Sequence, residues 1–303
     1  MISEQGQTPG PPQGVSRRNF VKTAAVAAAV GTAAAAGIGI VELTRSSPPT
    51  HLVAHRESGE IPLDPEAQAW TRLAKWPVPM LLQNLATPFA PELVVPEISV
   101  RAIHNGEQIA FHIEWEDAAE DSIDAMARFR DAVAVQLPID PAASAAVTMG
   151  ATNQPVHIMQ WRAAWQADVD LGRRGVKDAF PNMFHDAPPE ALMGEEAARQ
   201  FYPAVVAGNP MARRDRTSPV DDLIAVGFGS LTTHEEQTAN GRGVFTGKGW
   251  RVVITTPLQP GADKTRLSPG ITTSIAFAVW NGGAGNRGGR KQWANWSPLE
   301  IET

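Results

Sequence analysis

No cysteine occurs anywhere in the 303 residues. That excludes disulfides, thiolate zinc sites, iron–sulfur clusters and thioether-attached haem. Any metal or cofactor must be held by His, Met, Lys, Asp or Glu, or without covalent attachment. Positive charge is also scarce: the formal net charge is −6 and the isoelectric point about 5.7, which gives no footprint for nucleic acid. Only six lysines are present, and Tyr202 is the single tyrosine. Beyond residue 48 no run is long and apolar enough to span a membrane. There is no internal repeat, no G-x-S-x-G elbow and no H-E-x-x-H helix.

What is present begins with an export signal. A Pro/Gly-rich lead runs into Ser16-Arg17-Arg18-Asn19-Phe20-Val21-Lys22, and an alanine-rich apolar stretch extends from Ala24 to Val41. The chain then turns polar at Glu42 and breaks at Ser46-Ser47-Pro48-Pro49. A positive lead, an apolar stretch and small residues near a cleavage zone are the parts of a secretory signal, and paired arginines place it in the twin-arginine class. Residues 1–48 therefore read as a twin-arginine segment that sends a folded protein out of the cytoplasm. If residues 24–41 are retained, the same segment is a membrane tether. Residues 49–59, just past the Ser46-Ser47-Pro48-Pro49 break, read as a linker, and 60–303 as one domain.

Within that domain, period-two alternation dominates. Ile109, Phe111, Ile113 and Trp115 alternate with Ala110, His112 and Glu114. Val133, Val135 and Leu137 do the same, as do Trp250, Val252 and Ile254, and then Ile275, Phe277 and Val279. Further strands are predicted at 97–103, 155–161, 222–228 and 296–302. Short β-branched runs bounded by Gly, Pro and Asn predict an all-β fold, an antiparallel β-sandwich with a few short helices and long loops. The helical patches are 64–75, 119–129 and 189–201. The irregular stretch 165–221 is long enough to suggest a functional excursion.

The chemical motifs are few. Gly283-Ala284-Gly285-Asn286-Arg287-Gly288 is a literal G-x-G-x-x-G after a strand. A dinucleotide site needs a helix, a second strand and an acidic ribose ligand beyond that motif, and the glycine-rich run to Pro298 leaves no room for them. The carboxylates Glu114, Glu116 and Asp117 sit where a strand runs into a turn and read as a solvated rim. The histidines lack metal-ligand spacing. Lys291 stands in a Gly-rich loop just before Trp293 and Trp296, and Met149 lies in a loop between two strands. On spacing alone the lysine is a solvated loop residue and the methionine a gap-filler. Chemically, though, a thioether and a neutral amine can both ligate haem iron. The lysine could do so only after losing its proton.

An ordered set of blocks resembles a known family. Asp131 to Pro138, Met149-Gly150, and Pro155 to Ala163 come first, then Val220 to Thr232 and Gly249 to Leu258. Ala276 to Gly282 and Arg287-Gly288-Gly289-Arg290-Lys291 close the set. Together they resemble the haem b (gamma) subunit of type II dimethyl-sulfoxide-reductase-family molybdoenzymes, the ethylbenzene, dimethyl sulfide, selenate and chlorate oxidoreductases. The resemblance implies a non-catalytic β-sandwich holding one non-covalent haem b between axial Met and Lys ligands. By position these are Met149 and Lys291, with Lys264 as the alternative to Lys291. Trp161 and Trp293 are then expected in the pocket wall, along with Trp165 and Trp296. The implied partners are a molybdopterin catalytic subunit, an iron–sulfur subunit and an external cytochrome or similar carrier. The competing expectation is an exported carbohydrate-type binding module, which would use exposed tryptophan faces.

Overall fold

The computed structural model describes residues 51–303 apart from 173, 175, 185–195, 198–199, 201, 210–211 and 213–215. The twin-arginine segment and the apolar stretch 24–41 lie outside the described residues, as does most of the helix expected at 189–201. Among the described residues no helix is long and apolar enough to cross a membrane.

The strands are β1 (Leu52–Arg56), β2 (Trp76–Pro79), β3 (Leu81–Leu82), β4 (Glu97–His104), β5 (Gln108–Glu116), β6 (Ala132–Pro138) and β7 (Val156–Arg162). Then come β8 (Val220–Ala225), β9 (Thr232–Thr233), β10 (Asn240–Phe245), β11 (Gly249–Pro257), β12 (Thr272–Trp280), β13 (Gln292–Trp293) and β14 (Ser297–Ile301). Hydrogen-bonded neighbours run β10-β11-β5-β4-β1-β14-β12-β6-β7-β8-β9. The two layers meet in β12: its first half, from Thr272 to Ile275, pairs with β14, and its second half, from Ala276 to Trp280, pairs with β6. One strand thus belongs to both sheets of the sandwich, as at the corners where strands switch layers.

Pairing is antiparallel except at β1, which runs parallel to both β4 and β14. This corrects the reading of 49–59 as a linker, since Leu52–Arg56 is an interior strand with Leu52 and Ala54 in the core. Its five residues are too short a run to reveal this, because the strand is specified by partners far away in the chain. Two helical expectations also change. The patch at 64–75 contains a single turn, α1 (Gln68–Thr71), and 119–129 holds no helix. A helix not anticipated, α2 (Ala163–Leu171), leaves directly from the end of β7.

The core lies between the layers. Val133, Val135 and Leu137 of β6, Met159 and Trp161 of β7, and Phe277 and Val279 of β12 face Phe111, Ile113 and Trp115 of β5 and Trp250, Val252 and Ile254 of β11. Trp161 packs edge-on to Trp250 at 4.9 Å and to Trp115 at 6.4 Å between ring centroids. Glycine is required at 243 on β10, because a Cβ there would lie 2.2 Å from the Trp161 ring. On the other side of the β4–β5–β11 layer, Trp70 of α1 stacks on His112 at 5.1 Å. His112 also meets the carbonyl of Pro65 at 2.9 Å, and burial pulls its pKa down to about 4. Glu114, expected on a solvated rim, is instead ion-paired with Arg101 and with Lys75.

Candidate functional site

The second face of the β12–β6–β7–β8 layer is turned away from the core and forms the floor of a cavity of about 410 Å³. That lies within the usual range of cofactor and small-ligand sites, about 300–1,000 Å³. Because side chains alternate across a strand, the residues between the core positions make the floor. Ladder register sets them in rows: Ala276, Gln136, Ile158 and Leu223, then Ala278, Ala134 and Gln160, then Trp280, Ala132 and Arg162. From the first row to the third is about 13 Å at the usual strand rise. Ala134, Ala276 and Ala278 keep this part of the floor low, which leaves space above it.

Loops build the walls. The segment 146–151, between β6 and β7, carries Met149, whose backbone stands at φ +68°. That left-handed conformation costs a non-glycine residue about 1–2 kcal/mol, and such outliers persist only where the surroundings fix them. Here Gly150 N–H donates to the Ala146 carbonyl at 2.8 Å and Gly227 N–H donates to the Met149 carbonyl at 2.8 Å. From the floor, Gln136 Nε2 donates to the Val147 carbonyl at 2.9 Å. The Met149 side chain packs against the floor cluster and lines the cavity.

Opposite in sequence, the loop between β12 and β13 carries Lys291. Gln83, itself buried, donates through Nε2 to the Gly289 carbonyl at 2.8 Å, binding the 83–90 loop to this one. The Lys291 amine lies 5.2 Å from the centre of the Trp280 ring and lines the same cavity as Met149. No hydrogen bond or ion pair to it is found among the described residues. Burial alone pulls its pKa down to about 8. A desolvated, unpaired amine across from a thioether is a pair of neutral donors ready for a soft or intermediate metal.

Of the sequence-predicted site residues, the structure brings Met149, Lys291 and Trp293 to one cavity. Trp293 closes it from β13, its Nε1 donating to the Leu82 carbonyl at 3.3 Å. Trp161 is not a wall residue; it belongs to the opposite face of β7 and fills the core. Trp165 and Trp296 do not line the cavity: Trp165 lies beneath Arg162 at 4.1 Å, and Trp296 Nε1 donates to the Ala145 carbonyl at 2.7 Å. Lys264 does not reach it either. Its Nζ donates to the Glu236 carbonyl at 2.8 Å and to Thr238 Oγ1 at 2.9 Å, and faces Asp222 Oδ2 at 3.4 Å. With every proton engaged, it is a structural cation.

Sequence reading missed Trp280, the alanine floor, and Arg130 and Arg162 at one end of the cavity. The alternating alanines at 132, 134, 276 and 278 were the available signal. Among the described residues no group of three His, Asp or Glu could hold a metal ion. Seven of the nine tryptophans are buried, and Trp293 and Trp296 are partly exposed.

A two-layer β-sandwich with a cofactor-sized cavity on one outer face, walled by a methionine loop and a lysine loop, defines the class. The chain belongs to the ethylbenzene dehydrogenase family, whose model matches residues 67–292. This is the family to which the sequence resemblance pointed. A curated relative in Haloferax mediterranei, provisionally named respiratory nitrate reductase heme subunit ORF7, is 23% identical over 294 residues, covering 93% of this chain and 84% of the relative. Among solved structures, a family 9 carbohydrate-binding module from Caldicellulosiruptor kristjanssonii in complex with glucose aligns at TM-score 0.38 and 8% identity. It covers 82% of this chain and 95% of that one. A carbohydrate-binding protein candidate from Bacteroides uniformis aligns at TM-score 0.44 and 11% identity over 83% of this chain and 98% of its own. Likenesses of this strength carry no functional weight.

Proposed function

We propose that this chain is the haem b subunit of an exported molybdenum oxidoreductase complex, in which Met149 and Lys291 would ligate the iron of one non-covalent haem. The observation that carries the reading is the meeting of the Met149 thioether and the unpaired Lys291 amine in one apolar-floored cavity. Family membership and the name of the Haloferax relative support it. The chain makes and breaks no substrate bonds; it is an electron-transfer subunit. Bound in the cavity, haem would supply a one-electron redox centre.

The residues present suit that group. The Met149 thioether needs no proton removed. The Lys291 amine does, and the burial that brings its pKa to about 8 reduces the free energy of deprotonation at neutral pH. Small side chains at Ala134, Ala276 and Ala278 leave room for a ring above the floor, whose polar members are Gln136 and Gln160. Trp280 and Trp293 shut out water from the lysine side, the first held by its Nε1 donating to the Gly288 carbonyl at 2.9 Å. A methionine ligand and a dry pocket both favour a raised reduction potential.

In the full reading, electrons pass between an iron–sulfur subunit, itself served by a molybdopterin catalytic subunit, and an external cytochrome or similar carrier. The twin-arginine segment delivers the folded, cofactor-loaded protein across the membrane, and retention of residues 24–41 would tether it there. Expression with the signal intact should therefore place a coloured protein in the extracytoplasmic fraction. Replacement of Met149 or Lys291 by alanine should alter the reduced haem spectrum or remove the haem. Unchanged spectra in both variants would refute the ligand assignment.

A further inference from the structure

We propose that the Arg130–Arg162 end of the cavity is an anion seat, which receives the carboxylates of the cofactor that Met149 and Lys291 would hold. The inference rests on the haem reading above and adds to it the residues that orient the group within the cavity.

The cavity is graded from end to end. The row of Ala276, Ile158 and Leu223 is apolar apart from Gln136, whose amide is turned to the Val147 carbonyl. At the far row the lining becomes cationic, with Arg162 from β7 and Arg130 from the strand-entry segment before β6. Arg162 is 4% exposed, so an apolar or neutral ligand would leave a buried guanidinium for it to desolvate further.

The arginine positions are held from behind. Arg162 NH2 donates to Asp221 Oδ2 at 2.7 Å and to Gln160 Oε1 at 2.9 Å. Its guanidinium lies over the Trp165 ring at 4.1 Å, and that of Arg216 lies over the same ring at 3.3 Å. Arg130 is paired with Asp124, whose side chain is 43% exposed, while the buried Arg130 Nε has no hydrogen-bond partner. Of the two carboxylates that pair with the lining arginines, one is thus largely solvated. Burial brings the Arg162 pKa down to about 10; Asp221 opposes that fall, and the nearby Arg130 and Arg216 add to it. An incoming carboxylate would partner the buried Arg130 Nε–H, and guanidinium binds carboxylate with two parallel hydrogen bonds.

The placement of the arginines also fixes polarity. Met149 and its loop cover the apolar rows and the arginines close the other end, so a ring with carboxylates on one edge has one favoured way to lie. A methylated edge would meet the alanines, Ile158 and Leu223, and a carboxylated edge would meet the arginines.

The test is a titration of the full chain, stripped of haem, with iron protoporphyrin IX and with its dimethyl ester, both followed by the haem absorbance. The native chain should bind the free diacid at least about tenfold more tightly than the ester, the value of one charge-assisted hydrogen bond. Arg130→Gln should bring that ratio towards one while leaving affinity for the ester within about twofold, which shows the pocket still formed. Arg130→Lys should recover part of the ratio. Equal affinity of the native chain for the two porphyrins, or an undiminished ratio in Arg130→Gln, would overturn the seat. If the native chain binds neither porphyrin, the haem reading itself falls and the seat falls with it.

Discussion

The two faces of the β12–β6–β7 layer come from the same strands and differ in the space their side chains fill. The inner face carries Val133, Val135, Trp161, Phe277 and Val279, packed against the opposite layer. The outer face, one residue out of step, carries Ala134, Ala276, Ala278, Gln160 and Arg162 and lines an open cavity. Both sets lie out of solvent, and all seven residues of β6 are buried. The difference is one of volume: large side chains fill the inner space, while small ones leave the outer space for a guest. Burial by itself therefore does not distinguish core from site; the size of the alternating residues does.

The largest effect should come from exchanging the two characters. Trp161→Ala removes a side chain in contact with Trp115 and Trp250, and should destabilise the fold by about 3–5 kcal/mol in denaturant titrations. Ala278→Leu adds volume on the outer face of the same layer. It should change stability by less than about 1 kcal/mol, as substitutions facing open space do, yet abolish haem absorbance by filling the floor. Comparable destabilisation in the two variants would mean that the outer face is core after all.

The alternation of strands and the sandwich class were legible in the sequence because period two survives whatever the partners are. Met149 and Lys291 were reached only through the resemblance, since their spacing alone is that of ordinary loop residues. Trp161 was misplaced for a reason that lies in β7: with both faces buried, strand parity is visible but the choice of which parity meets the cavity is not. β1 was missed because its strand character comes from parallel partners at both ends of the domain, Ala102 to His104 and Leu299 to Ile301. Lys264 and Lys291 look alike in sequence, each in a turn-rich loop, and only the fold gives one of them a carboxylate.

That contrast between the lysines predicts the next effect in size. Lys264→Met leaves the buried Asp222 carboxylate, which also receives Thr238 and Ala239 N–H groups, without its cation. Removing one member of a buried pair of this kind is worth about 3–5 kcal/mol at its largest. The remaining His157 contact at 2.8 Å should hold the loss to the lower end. Lys291→Met deletes an amine that has no such partner, so the cofactor-free chain should be as stable as the native one or slightly more stable. The haem, by contrast, should survive Lys264→Met with its spectrum intact and be altered by Lys291→Met. A reversal of that spectral pattern would assign the ligand to Lys264.

The smallest effects are in pH dependence, and the two faces titrate in separate windows. On the inner side, Asp131 accepts from Trp250 Nε1 at 2.9 Å and from the Gly282 N–H at 2.8 Å, and burial raises its pKa to about 7. The folded chain thus holds a proton there that the unfolded chain has released above about pH 4, so this group's contribution to stability falls as pH rises from about 4 to 7. On the outer side, the Lys291 pKa is lowered by burial from 10.5 to about 8. The unfolded chain then binds the extra proton, and stability of the cofactor-free protein rises with pH between about 8 and 10.5. Ligation to a metal must displace the same proton below about pH 8, so haem affinity should rise up to tenfold per pH unit there and level off above it. Lys291→Met should flatten the stability slope above about pH 8 and the affinity slope below it, and leave the stability slope between pH 4 and 7 unchanged. Affinity that is flat with pH in the native chain would show that no proton leaves Lys291 on binding, and the amine would then be no ligand.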